Sequence, residues 1–259
     1  MIGCIIQARL DSTRLPNKVL TNIDNENPVL FFVVEQLKNC ELIEDIVVAT
    51  SDEPKDDKII DFCKKYKIKY FRGNNKNVLD RYFQCAKTFD YSIIIRIPAD
   101  KPLIDPEIVD MCIEKFLKNE YDCITNFKPL TFPSGTEVEI FSMKTLEFTW
   151  KNAMLPSEKE HVTPYIYKNE NKFKIFNIKN TVDQSNYRWA VDYKEDLELI
   201  RKIVSKIKNR PILTRHIIEL LTMEKELVNI NKDVLRNEGN IKSTKEDEIF
   251  LRKNKKENN

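Results

Sequence analysis

Three segments of this chain combine residue types that can act together on a chain of phosphates. The first is IIQARLDSTRLPNK, residues 5–18, where Arg9, Arg14 and Lys18 follow directly on a short apolar run with Ser12 and Thr13 among them. Several cations and hydroxyls at one point suit a polyphosphate, whose oxygens accept many charge-assisted hydrogen bonds at once. The second, IIIRIPADKPLIDP at residues 93–106, ends an apolar strand in Asp100. A carboxylate in that position is placed to hold a hard cation such as Mg2+, which keeps several waters and takes one or two protein carboxylates beside substrate phosphates. The third, YRWAVDYKEDLELI at 187–200, reads as another short apolar strand, ending in Asp192 before a helix. Two aspartates at two strand ends and a cationic loop at a third make a magnesium polyphosphate site by charge logic. The plainer readings are solvated loop charges for the cations and helix caps for the aspartates. Asp105, directly before Pro106, fills the capping role more naturally than Asp100.

The rest of the sequence narrows the classes available. Neither the GxxxxGK[ST] phosphate loop nor a GxGxxG fingerprint is present, and the chain has only four glycines, which disfavours P-loop kinases and dinucleotide-binding dehydrogenases. Its 43 basic and 41 acidic residues leave a formal charge of +2, too small for a nucleic-acid footprint, so positive charge must act locally. No apolar run approaches the ~20 residues of a membrane span. The start, MIGCIIQAR, lacks the basic and long apolar regions of a secretory signal, so a cytoplasmic location is expected. Cys4, Cys40, Cys63, Cys85, Cys112 and Cys123 form no CxxC pair, which argues against zinc or a disulfide framework and for reduced core fillers.

These residues need elements to position them. IGCIIQA at 2–8 is a continuous apolar run, the pattern of a strand buried on both faces of a parallel sheet. Helical spacing over 28–38, a second strand in IEDIVVATS, a helix over 54–67, a strand in IKYF, a helix over 78–88, a strand in SIIIRIP and a helix over 106–117 follow. Strands alternating with crossover helices predict a three-layer α/β fold with a mostly parallel sheet. From about residue 121 the rhythm changes. YDCITNF, TEVEIFS and FKIFNI read as strands of a small mixed β extension, with helix candidates in KTLEFTWKNAM and HVTPYIYKN. Helices return over 195–206 and 213–221, and the charged end LRKNKKENN predicts a frayed tail.

The three segments, in this order and spacing, resemble the cytidylyltransferases that make CMP-activated acidic sugars, above all their SpsF-type branch. IIQARLDSTRLPNK resembles that family's ARxxSTRLPGK loop, ADKPLIDP its GDxPLI segment and VDYKEDLELI its DTPEDLE segment. FPSGTEVEIFS, EKEHVTPYIY and RNEGNIKS are similar to stretches of the SpsF-type branch. The likeness covers roughly residues 2–205. It implies a Rossmann-like nucleotide-diphospho-sugar transferase fold, with a nucleotidyltransferase domain over 1–228, a dimerisation and acceptor-covering insertion at about 128–180, and a C-terminal extension over 229–259. It also implies Mg2+ as cofactor, a nucleoside triphosphate (CTP foremost) and a small acceptor as partners, surface-glycan synthesis as the setting, and a homodimer. By the same likeness Arg9, Arg14 and Lys18 are triphosphate-binding and catalytic, Ala8 and Ser12 are nucleotide-binding, and Asp100 and Asp192 are metal-binding.

Three departures stand out. Asn17 replaces the usual glycine, Ala99 replaces the glycine before the metal aspartate, and Lys101 follows that aspartate where relatives often carry Glu or Cys. Asn17 can reach the left-handed region, whereas Ala99 would be strained there. Asp80 and Arg81 stand at the helix start where related enzymes approach the nucleotide, or form an exposed helical pair. Glu137 and Glu139, alternating on one strand face, border the acceptor pocket or a solvated sheet face. His161 contacts the acceptor or is satisfied beside Glu158 and Glu160. A metal-dependent glycosyltransferase of related fold and a non-catalytic nucleotide-binding protein are the alternatives; pyrophosphate release separates them from a nucleotidyltransferase.

Overall fold

The computed structural model describes residues 1–234 and 238–257. Strands Ile2–Gln7 (β1), Asp45–Ser51 (β2), Lys69–Gly73 (β3) and Ile93–Pro98 (β4) pair in parallel. Between and after them lie helices Val29–Leu37 (α1), Asp57–Lys65 (α2), Val78–Thr88 (α3) and Pro106–Leu117 (α4), as the alternation predicts. The mixed extension joins the same sheet: Cys123–Thr125 (β5) and Glu139–Ser142 (β6) run antiparallel, and Ile175–Asn177 (β7) runs parallel to β5. Strand order is β3-β2-β1-β4-β6-β5-β7. Helices Met143–Asn152 (α5), Pro156–His161 (α6), Pro164–Lys168 (α7), Lys194–Lys206 (α8), Thr214–Met223 (α9) and Glu238–Glu257 (α10) complete the described chain.

Alternation of side chains along the strands builds the three layers. Cys4 and Ile6 of β1 pack on one face with Leu30 and Val33 of α1 and Val109 and Ile113 of α4. Ile5, between them, points the other way, into a cluster with Leu79 and Tyr82 of α3 and Phe141 of β6. A strand apolar at every position is therefore used on both faces, and each fully buried aliphatic side chain stabilises by roughly 1.5–3 kcal/mol. The chain runs outward from β1 through β2 to β3, then crosses back to place β4 on the other side of β1. That reversal leaves a crevice at the carboxyl ends of β1 and β4, where Gln7 sits beside Pro98 and ligands of open α/β sheets bind.

Two stretches differ from expectation. Residues 187–192 do not form a ladder strand, because their backbone bonds alternate between two separate segments. Trp189 N donates to Ser134 O (2.8 Å), while Val191 N donates to Asp100 O (2.8 Å). The segment is thus stitched between the 134–135 turn and the end of β4. The C-terminal stretch, where composition predicts fraying, forms α10. Ser243 and Asp247, one helical turn apart, both bond to α6, and that tertiary grip outweighs weak intrinsic propensity. Residues 235–237, 258 and 259 lie outside the described residues, as do the side chains of the RNEGNIK stretch. No helix among the described residues is long and apolar enough to cross a membrane.

Gly135 holds the stitched segment in place. Its φ is +109°, and a Cβ there would stand 2.8 Å from Ala190 N and 2.8 Å from the Trp189 carbonyl carbon, both backbone atoms that cannot yield. Gly135→Ala is expected to lower the unfolding free energy by about 2 kcal/mol or more, read from urea denaturation midpoints. Unchanged stability would show that the 134–135 turn does not fix residues 189–191.

Candidate active site

The cationic loop leaves β1 at Gln7 and is pinned at once. Ala8 N donates to Ala49 O (3.1 Å) and Leu10 N to Asp56 Oδ1 (2.9 Å). Asp56 is fully buried and also accepts from Ser51 Oγ. The loop then turns at Asn17, whose φ of 58° is left-handed, into a single turn of 3-10 helix over Lys18–Leu20. Asparagine suits this position because its short side chain tolerates the left-handed region. Ala99 is not among the residues of positive φ, so its replacement of glycine brings no left-handed strain.

The turn delivers the Lys18 ammonium to both aspartates. Lys18 Nζ lies 2.9 Å from Asp100 Oδ2, 2.9 Å from Asp192 Oδ1 and 2.9 Å from Val191 O. Asp192 also accepts from Arg14 Nη2 (2.5 Å) and, on its other oxygen, from Arg188 Nη2 (2.7 Å). Arg188 is held in turn by Asp196, from Nε at 2.9 Å and Nη2 at 3.1 Å. Asp196, fully buried, further accepts from Asp192 N (2.9 Å), Tyr193 N (3.1 Å) and Asn231 Nδ2 (2.8 Å). Three cations and three carboxylates thus alternate in one network. Burial acts to raise the Asp192 pKa, yet the attraction of Lys18 and hydrogen bonds from Lys18, Arg14 and Arg188 hold it well below the carboxylate range. Lys18 moves up: burial opposes its charge, but Asp100 and Asp192 outweigh that.

A pocket of about 330 Å³ opens over the end of this network that Arg14, Lys18 and Asp100 form. Its loop side carries Ala8, Arg9, Ser12, Thr13, Arg14 and Lys18. Across from the loop residues in sequence, Arg81, Arg96, Asp100, Glu160, His161 and Ser243 border it too. Arg81 is not the exposed helical charge that its position allows. It is 1% exposed, its Nε and Nη1 are buried without a hydrogen-bond partner, and burial pushes its pKa down to about 10. Arg9 Nη2 pairs with Glu160 Oε1 at 3.0 Å, and His161 Nε2 lies 2.6 Å from Ser243 Oγ. Burial lowers the His161 pKa, with Glu160 acting the other way.

Four of the residues singled out from the sequence are not brought to the pocket wall: Asp192 reaches it only through Lys18 and Arg14, which do line it, and Asp80, Glu137 and Glu139 are engaged elsewhere. Asp80 accepts from Gln84 Nε2 (3.2 Å) and Trp150 Nε1 (2.9 Å), tying α3 to α5. Glu137 precedes β6 rather than alternating along it with Glu139, and its carboxylate takes Lys101 Nζ at 3.1 Å and Gly135 N at 2.8 Å. Glu139 is buried, paired with Arg96 and bonded by Thr163 Oγ1 (2.5 Å) and Tyr167 OH (2.7 Å). Sequence reasoning missed Arg188, Asp196, Arg96, Glu160 and Ser243. A signal existed for two of them. Arg96 is a charge within a buried strand, and Asp196 stands three residues after the helix cap Tyr193, the position that bonds back to the cap.

A family model described as cytidylyltransferase matches residues 3–256. The chain belongs to the cytidylyltransferase family. It is 32% identical over 238 residues to the spore coat polysaccharide biosynthesis protein SpsF of Bacillus subtilis, covering 88% of this chain and 94% of that protein. The solved structure of a cytidylyltransferase from Leptospira borgpetersenii superposes with a TM-score of 0.84 at 35% identity, over 88% of this chain and 96% of that one. CMP:2-keto-3-deoxy-manno-octonic acid synthetase, solved with CTP, shares the fold at a TM-score of 0.58 and 17% identity, over 79% of this chain and 98% of that one. Membership makes the chain a nucleotidyltransferase by family, with a mostly parallel Rossmann-like sheet.

The depressed Asp192 pKa gives the cytidylyltransferase a defined acid response. Its contribution to stability is fully present above about pH 4, the range of an unfolded carboxyl, and is lost as pH falls toward the folded value. Wild type and Asp192→Asn are expected to differ by about 2 kcal/mol in unfolding free energy at neutral pH, with the gap narrowing steadily below about pH 4. Urea denaturation across pH measures this, and a gap independent of pH would remove the ionic account.

Proposed function

We propose that this chain transfers the cytidylyl group of CTP to an oxygen of a sugar or sugar-phosphate acceptor and releases pyrophosphate. The observation that carries the reading is the meeting of Asp100 and Asp192 at the Lys18 ammonium, beside Arg9, Arg14 and Arg81 around one pocket. Three chain segments far apart in sequence supply the charges that a triphosphate needs. Family membership and the CTP bound by the octonic acid synthetase of the same fold support CTP as the nucleotide. The name of the Bacillus relative supports an acceptor from surface-polysaccharide synthesis.

In this reading an acceptor oxygen forms a bond to the α-phosphorus while the bond from that phosphorus to the bridging oxygen of the β-phosphate breaks. The acceptor proton passes to solvent and pyrophosphate leaves. Positioning and charge neutralisation supply most of the catalysis in such transfers. Arg9, Arg14 and Lys18 neutralise charge on the departing pyrophosphate. Arg81 gains for its unpartnered donors the acceptor atoms that the protein does not supply, which offsets the cost of burying its charge. Ser12 and Thr13 add hydroxyl donors at the same loop.

Asp100 and Asp192 fit a magnesium ion. They are oxygen donors, both partly open to solvent, and they already converge within bonding distance of one cation. Among the described residues no cluster of three or more metal-ligating side chains exists, so phosphate oxygens and water would complete the shell, as Mg2+ prefers. When bound, Mg2+ supplies Lewis-acid charge neutralisation on the phosphates. We place the reaction in the cytoplasm, where six free cysteines stay reduced, and expect a homodimer.

The test is pyrophosphate release across four nucleoside triphosphates and a panel of acidic sugars and sugar phosphates, with and without Mg2+. CTP is expected to be preferred. Lys18→Ala and Asp100→Ala are each expected to lower the rate by about 10²-fold or more, with circular dichroism unchanged. Either variant keeping the wild-type rate would defeat the assignment. Release of a nucleoside diphosphate in place of pyrophosphate would favour a glycosyltransferase.

A further inference from the structure

Helix α10 reaches the pocket through two side chains one turn apart. Asp247 grips the start of α6, accepting from Ser157 N (2.9 Å), Ser157 Oγ (2.5 Å) and Lys168 Nζ (3.1 Å). Ser243, 3% exposed, borders the pocket and meets His161 Nε2 at 2.6 Å. His161 is the last residue of α6. The next residue, Val162, has φ 72°, a conformation that a β-branched side chain adopts only under constraint, and it is 1% exposed. Such strain persists where surrounding packing over-determines it, and it clusters at functional sites. Here it separates two directions: His161 faces the pocket and Ser243, whereas Thr163 turns inward to Glu139. The same short helix holds the phosphate loop, through the pair between Glu160 and Arg9. It also packs against α3, which carries Arg81.

We propose that Ser243 is a positioning residue that fixes the imidazole of His161 against an oxygen of the bound nucleotide, making α10 a wall of the substrate pocket. The Ser243 hydroxyl can donate to Nε2 or accept from it, so the contact fixes the orientation of the ring, the role the hydroxyl takes in this buried setting sets the tautomer, and the other ring nitrogen is left for the substrate oxygen. The identity of that substrate as CTP rests on the cytidylyl-transfer reading; the role of Ser243 toward the ring does not. The RNEGNIKS resemblance ends on Ser243 but gives it no role, because its side chain acts through a contact with a residue far away in sequence.

The chain has two histidines, His161 and His216, so the nitrogen signals of each imidazole are separable in a 15N-labelled sample. Wild-type His161 is expected to show one dominant tautomer, with its ring signals shifting on addition of CTP and Mg2+. Ser243→Ala is expected to mix the two tautomers of His161 while leaving His216 unmoved, and to lower pyrophosphate release about tenfold. Ser243→Thr, which keeps the hydroxyl, is expected to restore both. Wild-type ring signals in Ser243→Ala would overturn the proposal, as would His161 signals that CTP with Mg2+ leaves unmoved. Mixed tautomers with an undiminished rate would reduce Ser243 to a structural contact and equally overturn it. The ring signals require no turnover, so failure here and failure of the cytidylyl-transfer assignment are separate results.

Discussion

The placement of the Lys18 ammonium between Asp100 and Asp192 is the constraint on which the rest of the site depends. Its side chain is 12% exposed, so the charge has left bulk water and needs partners at short range. Removing one member leaves the charge of its partners uncompensated in a setting that water only partly screens. The three groups belong to the loop after β1, the end of β4 and the stitched segment after Trp189. None can shift without unpairing the others. The crevice at the carboxyl ends of β1 and β4 is thereby locked into one geometry before any nucleotide arrives, which is the preorganisation that charge-stabilising catalysis requires.

The lock works because each member has a second support. Asp56 holds the loop through the Leu10 amide, and the left-handed Asn17 aims Lys18 inward. Asp196 carries the heavier share on the far side. It caps α8, orients Arg188 and accepts from Asn231, so the position of Asp192 is tied both to a helix start and to the chain beyond α9. Gly135 completes the arrangement by letting the 189–191 backbone approach more closely than any side chain permits. Support of this kind decides whether a site is held within a fraction of an ångström or merely present.

How much of this was legible in the sequence follows from the range of each interaction. The parallel sheet was readable because an unbroken apolar run such as residues 2–8 has only one economical use, and the helices over 78–88 and 106–117 follow from local periodicity. The cationic loop and the two aspartates were readable as charge concentrated at strand ends. The extended segment at 187–192 read as a strand because its composition suits one, but its hydrogen bonds go to two different neighbours, which no local pattern encodes. Asp80 and Glu139 show the opposite failure. Each stood in a suggestive motif, yet Trp150 claims one, while Arg96, Thr163 and Tyr167 claim the other. Those partners lie 24 to 70 residues away or across a strand pair, beyond any spacing rule. Helix α10 escapes a local reading for the same reason, since its charged composition predicts fraying and the contacts of Ser243 and Asp247 with α6 and Lys168 reverse it.

The balance of charge in the network bears on how a nucleotide would enter. Arg14, Lys18 and Arg188 face Asp100, Asp192 and Asp196, so the free protein holds the cluster near neutrality and bears little self-repulsion. A triphosphate brings several negative charges and competes with Asp192 for Arg14, which is the more exposed of the two loop cations that this aspartate holds. In the proposed reaction, release of Arg14 toward phosphate would free carboxylate oxygen of Asp192 for a metal ion. Lys18 stays at the centre of this exchange, because two carboxylates and the Val191 carbonyl hold it. Arg81 needs no exchange at all, since its buried donors have no protein partner to give up. The pocket therefore presents one cation that must change partners and another already waiting for them, around a Lys18 that keeps its place.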